Sequence, residues 1–106
     1  SEYGTQILAM LSAQNGCTYL SKNFESITGN QPETCVNQGF YDIMQKDYHE
    51  RLNDLLELAT HEKKPQTLHC KLRHADGSLQ WYSFTIHPAK QKDAGSCVCI
   101  LENIHE

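Results

Sequence analysis

The chain contains no apolar run approaching the roughly 18 residues that a membrane-crossing helix needs. No basic-then-apolar leader opens it either. A soluble domain without direct membrane contact is expected, any anchor belonging to another part of a parent protein. Basic residues are few and scattered: nine Lys and Arg stand against thirteen Asp and Glu, for a net charge of −4. With no basic stripe to follow a phosphate backbone, a nucleic-acid partner drops out of the reading. Gly-x-Ser-x-Gly, a phosphate-cradling glycine loop and His-Glu-x-x-His are also missing, so no local motif offers catalysis. Internal repeats, low-complexity tracts and interdomain linkers are absent too.

What is present describes an ordinary globular chain. Its 106 residues fit one hydrophobic core and not two, so a single domain, 1–106, is expected. The five cysteines, Cys17, Cys35, Cys70, Cys97 and Cys99, are odd in number and lack the spacing of a small disulfide scaffold. They read as reduced thiols in a reducing, cytoplasmic compartment.

Gln6 to Ala13 is too short and too apolar for periodicity alone to choose helix or strand. The turn dipeptide Asn15-Gly16 and the β-rich Cys17 to Ser21 favour strand, turn, strand. Short helical pieces follow: Asn23 is a candidate cap for Phe24 to Thr28, Gly29 a left-handed stop, Pro32 the start of a second turn, and Gly39 a further break. Asp47 and Glu50 resemble a capping box for the longest helix, whose Leu52, Leu55, Leu56 and Ala59 recur at helical spacing and define one buried face. That helix must stop before Pro65.

The period then becomes two. Leu68, Cys70 and Leu72 face one way on a half-buried strand, Asp76-Gly77 makes a hairpin, and Tyr82, Phe84 and Ile86 alternate on the next strand as far as Pro88. A polar loop from Lys90 to Gly95 leads to the last strand, Ser96 to about Ile104. With all helices inserted between strands two and three, the order predicts an α+β fold: an antiparallel sheet with helices packed on one face.

From about Ile7 to Glu106 the chain resembles the PAS family. Asn23-Phe24-Glu25-Ser26-Ile27-Thr28-Gly29 is similar to the family's Asn-initiated run ending in Thr-Gly. Pro32-Glu33, Gly39-Phe40 and Ile43 resemble the approach to its long helix. Arg73-His74-Ala75-Asp76-Gly77-Ser78 with Trp81 is similar to its Arg-x-x-Asp-Gly-Ser-x-x-Trp hairpin, and Glu102-Asn103-Ile104-His105-Glu106 resembles its terminal Asp-Ile-Thr-Glu. Asn103 and His105 depart from the usual Asp and Thr, and Gln45-Lys46-Asp47 from a common His-Pro-Asp. The resemblance implies a five-stranded antiparallel sheet with short helices and one longer helix cupped on one face.

It also implies a non-catalytic sensory domain that binds a small ligand or partner and signals to a C-terminal output domain, a histidine kinase or diguanylate cyclase, in a parent of the two-component type. A homodimer is the expected assembly. The alternatives are a protein–protein interaction or dimerisation module without a ligand, and a haem- or metal-dependent redox sensor.

Neither alternative cofactor finds its ligands readily. Cys97-Val98-Cys99 and His69-Cys70 form the best local cluster, but Cys-x-Cys on a strand lacks the loop that lets ligands converge, so no metal site is expected. Matching Ala59 to Lys63 with the same helix ending in haem-holding PAS domains puts Glu50 at the ligand position. His49, one residue off, is turned by about 100°. Light-sensing relatives carry an adduct-forming cysteine where this chain reads Gln38 to Ile43. No cofactor is therefore expected, haem and flavin being the groups to check. The ligand pocket is expected between the long helix and the sheet, lined by Tyr41, Leu52, Leu55, Leu56, Tyr82 and Phe84, with a dry core as the competing outcome. Output coupling is expected at Glu102, Asn103, Ile104 and His105.

Overall fold

The computed structural model describes residues 4–90 and 95–106. In chain order it comprises β1 (Gln6–Ser12), β2 (Gly16–Leu20), α1 (Asn23–Thr28), 3-10 turns at Pro32–Thr34, Gln38–Ile43 and Lys46–Tyr48, α2 (His49–Glu62), β3 (Gln66–Arg73), β4 (Leu79–Pro88) and β5 (Ser96–Asn103). Residues 91–94 of the expected loop from Lys90 to Gly95 lie outside the described residues.

The strands form one sheet in the order β2-β1-β5-β4-β3, every neighbouring pair antiparallel. Alternation along each strand builds the inner face: Ile7, Ala9 and Leu11 of β1, Cys97, Cys99 and Leu101 of β5, Tyr82, Phe84 and Ile86 of β4, and Leu68, Cys70 and Leu72 of β3 are all buried. The stripe Leu52, Leu55, Leu56 and Ala59 of α2 closes over them. Burying each such Leu contributes about 1.5–3 kcal/mol, so this seam contributes several kcal/mol to the fold. Among the described residues no helix is long and apolar enough to cross a membrane.

Three local expectations are corrected. Asn23 is the first residue of α1 and makes no cap bond; its side chain instead accepts from the Ser21 hydroxyl at 2.6 Å and donates to the Gln6 carbonyl at 2.6 Å, pinning α1 to the start of β1. Gly39 lies inside a 3-10 turn and does not interrupt it. A Cβ there would strike the Thr34 carbonyl oxygen, so close approach of two backbones is what demands glycine. The break falls at Asn37, whose φ is +55° and whose backbone bridges Cys17. Asp47 caps nothing, because the Lys46–Tyr48 turn runs directly into α2 and the His49 N–H it would receive is already taken by the Lys46 carbonyl. Gly29, by contrast, ends α1 in the left-handed conformation expected of it, at φ +77°.

Candidate functional site

All six expected pocket residues belong to, or pack against, one continuous core. Leu52, Leu55 and Leu56 descend from α2, Tyr82 and Phe84 rise from β4, and Tyr41 enters half-buried from the Gln38–Ile43 turn. Phe40, which sequence reasoning passed over for its neighbour Tyr41, is fully buried and meets Phe84 edge-on with ring centroids 6.2 Å apart. Two adjacent aromatics in a tight turn cannot both point inward, and composition alone does not say which one does.

Tyr41 instead closes the side of the core. Its hydroxyl donates to Asn53 Oδ1 at 2.5 Å, and its ring meets that of His49 at 5.1 Å. Burial pushes the Tyr41 phenol above its usual pKa range. His49 Nε2 lies 2.8 Å from the Met44 carbonyl, so this imidazole is engaged with the backbone leading into α2.

The residues expected to couple output form a second cluster around the end of β5. The register sets Asn103 opposite Tyr82 and Leu101 opposite Phe84. Asn103 Nδ2 donates to Gln80 Oε1 at 2.8 Å, and Asn103 Oδ1 accepts from the His105 N–H at 2.8 Å. Ile104 N–H donates to the Trp81 carbonyl at 2.9 Å, while Trp81 N–H donates to His105 Nδ1 at 3.3 Å. Glu102 is exposed opposite Ser83. The Tyr82 hydroxyl lies 2.7 Å from His74 Nε2. His74 and Gln80 were not anticipated as members of this cluster, since His74 reaches Tyr82 across the β3–β4 turn and Gln80 meets Asn103 through the β4–β5 pairing.

The cysteines are all free and buried. Burial pushes the Cys17 thiol up to about 11 and Cys70 up to about 12, and also raises Cys35, Cys97 and Cys99. Such thiols stay protonated at neutral pH and are poor nucleophiles. Among the described residues no three His, Cys, Asp or Glu side chains are grouped to hold a metal ion.

Open hollows lie elsewhere. One of about 520 Å³ borders Leu8, Tyr19, Ser21, Lys22 and Ile100 on the outer side of the sheet, and one of about 420 Å³ lies by Thr60, Lys63 and Pro88. A smaller one of about 110 Å³ reaches Leu56 from the Gln14 side.

Comparison with known proteins places this geometry. The sequence pattern described as PAS fold matches residues 4–106. No curated protein matches. Among solved structures, the PAS domain of an HTR-like protein from Haloarcula marismortui superposes with a TM-score of 0.78 at 12% identity, over 97% of this chain and 84% of that one. The N-terminal domain of a diguanylate cyclase with PAS/PAC sensor from Marinobacter aquaeolei gives 0.74 at 11% identity, over 94% and 95%. The LOV domain of a blue-light activated histidine kinase from Erythrobacter litoralis gives 0.70 at 17% identity, over 94% and 96%.

Proposed function

The chain belongs to the PAS family of sensory domains, and from that premise we propose that it senses a small ligand or partner and relays the change through its C-terminal segment to an output domain. A histidine kinase or diguanylate cyclase is the class of output favoured, in keeping with the parents named for similar structures. The domain itself is read as non-catalytic and free of cofactor. The compartment favoured is the reducing cytoplasm, a reading supported by five free thiols.

One observation carries the relay: β5 is the central strand, bonded to both β1 and β4, and its end is the segment that leaves the sheet. Any change in how α2 sits on Tyr82 and Phe84 acts directly on the partners of Asn103 and Leu101. Coupling of this kind is a population shift of about 1–3 kcal/mol, not a refolding. The sensing site favoured is the space between α2 and β4, where a ligand would have to displace or part the packed side chains of Leu52, Leu55, Leu56 and Phe84.

The relay is tested by Asn103→Asp and Asn103→Ala in the full-length parent, with output measured with and without stimulus. Ala is expected to uncouple the two, because it removes the bonds to Gln80 and His105. Normal signalling in both variants at normal stability would reduce the exit to a tether. Ligand binding is tested separately, by native mass spectrometry and thermal-shift screening of the purified chain, with an absorption spectrum to reveal haem or flavin.

A second reading, a dimerisation module without a ligand, is favoured by the outer sheet face. Leu8 and Tyr19 are 39% and 46% exposed there, beside the half-buried Ile100.

A further inference from the structure

Tyr82 has no solvent exposure, so its hydroxyl proton must find an acceptor inside the protein. The neighbours fix which one. The hydrogen-bond partner of that hydroxyl is His74 Nε2, at 2.7 Å. The Tyr82 proton is then donated to His74 Nε2, which accepts it only in the neutral Nδ1–H form. On the other side of the exit, His105 Nδ1 accepts the Trp81 N–H, again a role open only to a neutral imidazole. Two imidazoles from two separate segments therefore serve as acceptors in one network around residues 103–105.

We propose that His74 and His105 form a proton-operated latch on the C-terminal exit, closed while both imidazoles are neutral and released when they are protonated. A proton on His74 turns Nε2 into a donor. The Tyr82 proton then loses its acceptor. A proton on His105 likewise removes the acceptor of Trp81 N–H.

The charged and titratable groups facing His74 are Asp76 on its own turn, His105 from the C-terminal segment and Tyr82 from β4; the Arg73 guanidinium is turned away and donates to the Asp42 carbonyl at 2.6 Å. Burial, the largest influence, and His105 oppose the proton, Asp76 favours it, and the balance lowers the His74 pKa. The His74 bond of the latch is therefore complete above the ordinary imidazole value of 6.5 and is lost as pH falls below it toward the lowered folded value. This deepens the relay reading, because it acts on the same exit. Its test needs neither a ligand nor an output domain, so the two readings fail separately.

The test is NMR of the 106-residue chain, reading imidazole nitrogen shifts together with amide hydrogen-exchange protection at Ile104, His105 and, as a reference within β5, Ile100. The His74 Nδ1–H tautomer is expected at pH 7.5. Between pH 7.5 and 5.0, protection at Ile104 and His105 is expected to fall roughly tenfold, about 1.4 kcal/mol, while Ile100 holds. Tyr82→Phe should give low protection at both pH values. Should that variant unfold, His74→Gln with His105→Asn, which supply acceptors that do not titrate, should hold the exit closed at both. A His74 Nε2–H tautomer at neutral pH, protection that ignores pH in the unaltered chain, or a pH dependence that survives the Gln and Asn pair would each overturn the latch.

Discussion

Cys70, buried between Leu68 and Leu72 on the inner face of β3, behaves as a small hydrophobe whose thiol holds its proton to about 12. An unfolded chain ionises the same thiol near 9, so its contribution to stability is full below about pH 9 and is lost as pH climbs toward the folded value. Cys17, raised to about 11, acts in the same direction over a shorter range. Thermal melts followed by circular dichroism between pH 8 and 11 are expected to show the midpoint falling with rising pH. Cys70→Ala should flatten that fall, by at most about 1.4 kcal/mol per pH unit, while lowering the midpoint at neutral pH. The inward placement of Cys70 was legible because Leu68 and Leu72 share its period. The roles of His74 and Gly39 were not, since each depends on how the chain folds back on itself, Tyr82 across the hairpin for one and the Thr34 carbonyl for the other.

At the scale of elements, α2 shows how a helix can be readable along its face and unreadable at its ends. The spacing of Leu52, Leu55, Leu56 and Ala59 is intrinsic to the helix, and the burial follows from it. The start was missed because a 3-10 turn feeds the helix from behind and leaves no free terminus for Asp47 to cap. The end is marked by Lys63 in the left-handed conformation, at φ +56°, a geometry that costs a side-chain-bearing residue about 1–2 kcal/mol. Lys63→Gly should relieve part of that and raise stability by roughly 1 kcal/mol, measurable as a higher urea midpoint at unchanged slope. A lower midpoint would mean that the lysine makes a compensating contact.

For the whole molecule, the antiparallel sheet and the insertion of all helices between β2 and β3 followed from element order alone. The strand order did not follow from local pattern, because nothing in it says that β5 slides between β1 and β4. The outer face was equally silent, since Leu8, Tyr19 and Ile100 are far apart in sequence and become one surface only through the Leu8–Ile100 and Met10–Tyr19 register pairs. If that face mediates self-association, sedimentation velocity will find a dimer at high micromolar concentration, and Tyr19→Glu with Ile100→Glu will convert it to a monomer of unchanged melting temperature. A monomer at every concentration removes the dimer reading.

The pairing of β1 with β5 also governs how the chain reaches its native state. The β1–β2 hairpin and the β3–β4–β5 meander are each built from near neighbours, but the ladder joining them sets Gln6 against Glu102, almost the full length of the chain apart. Closing so large a loop exacts its entropy before any contact repays it. The two units should therefore assemble early and dock late, with the middle of the finished sheet as the last part to form. Mutations along Ile7, Ala9 and Leu11 would then accelerate unfolding while leaving the refolding rate nearly untouched.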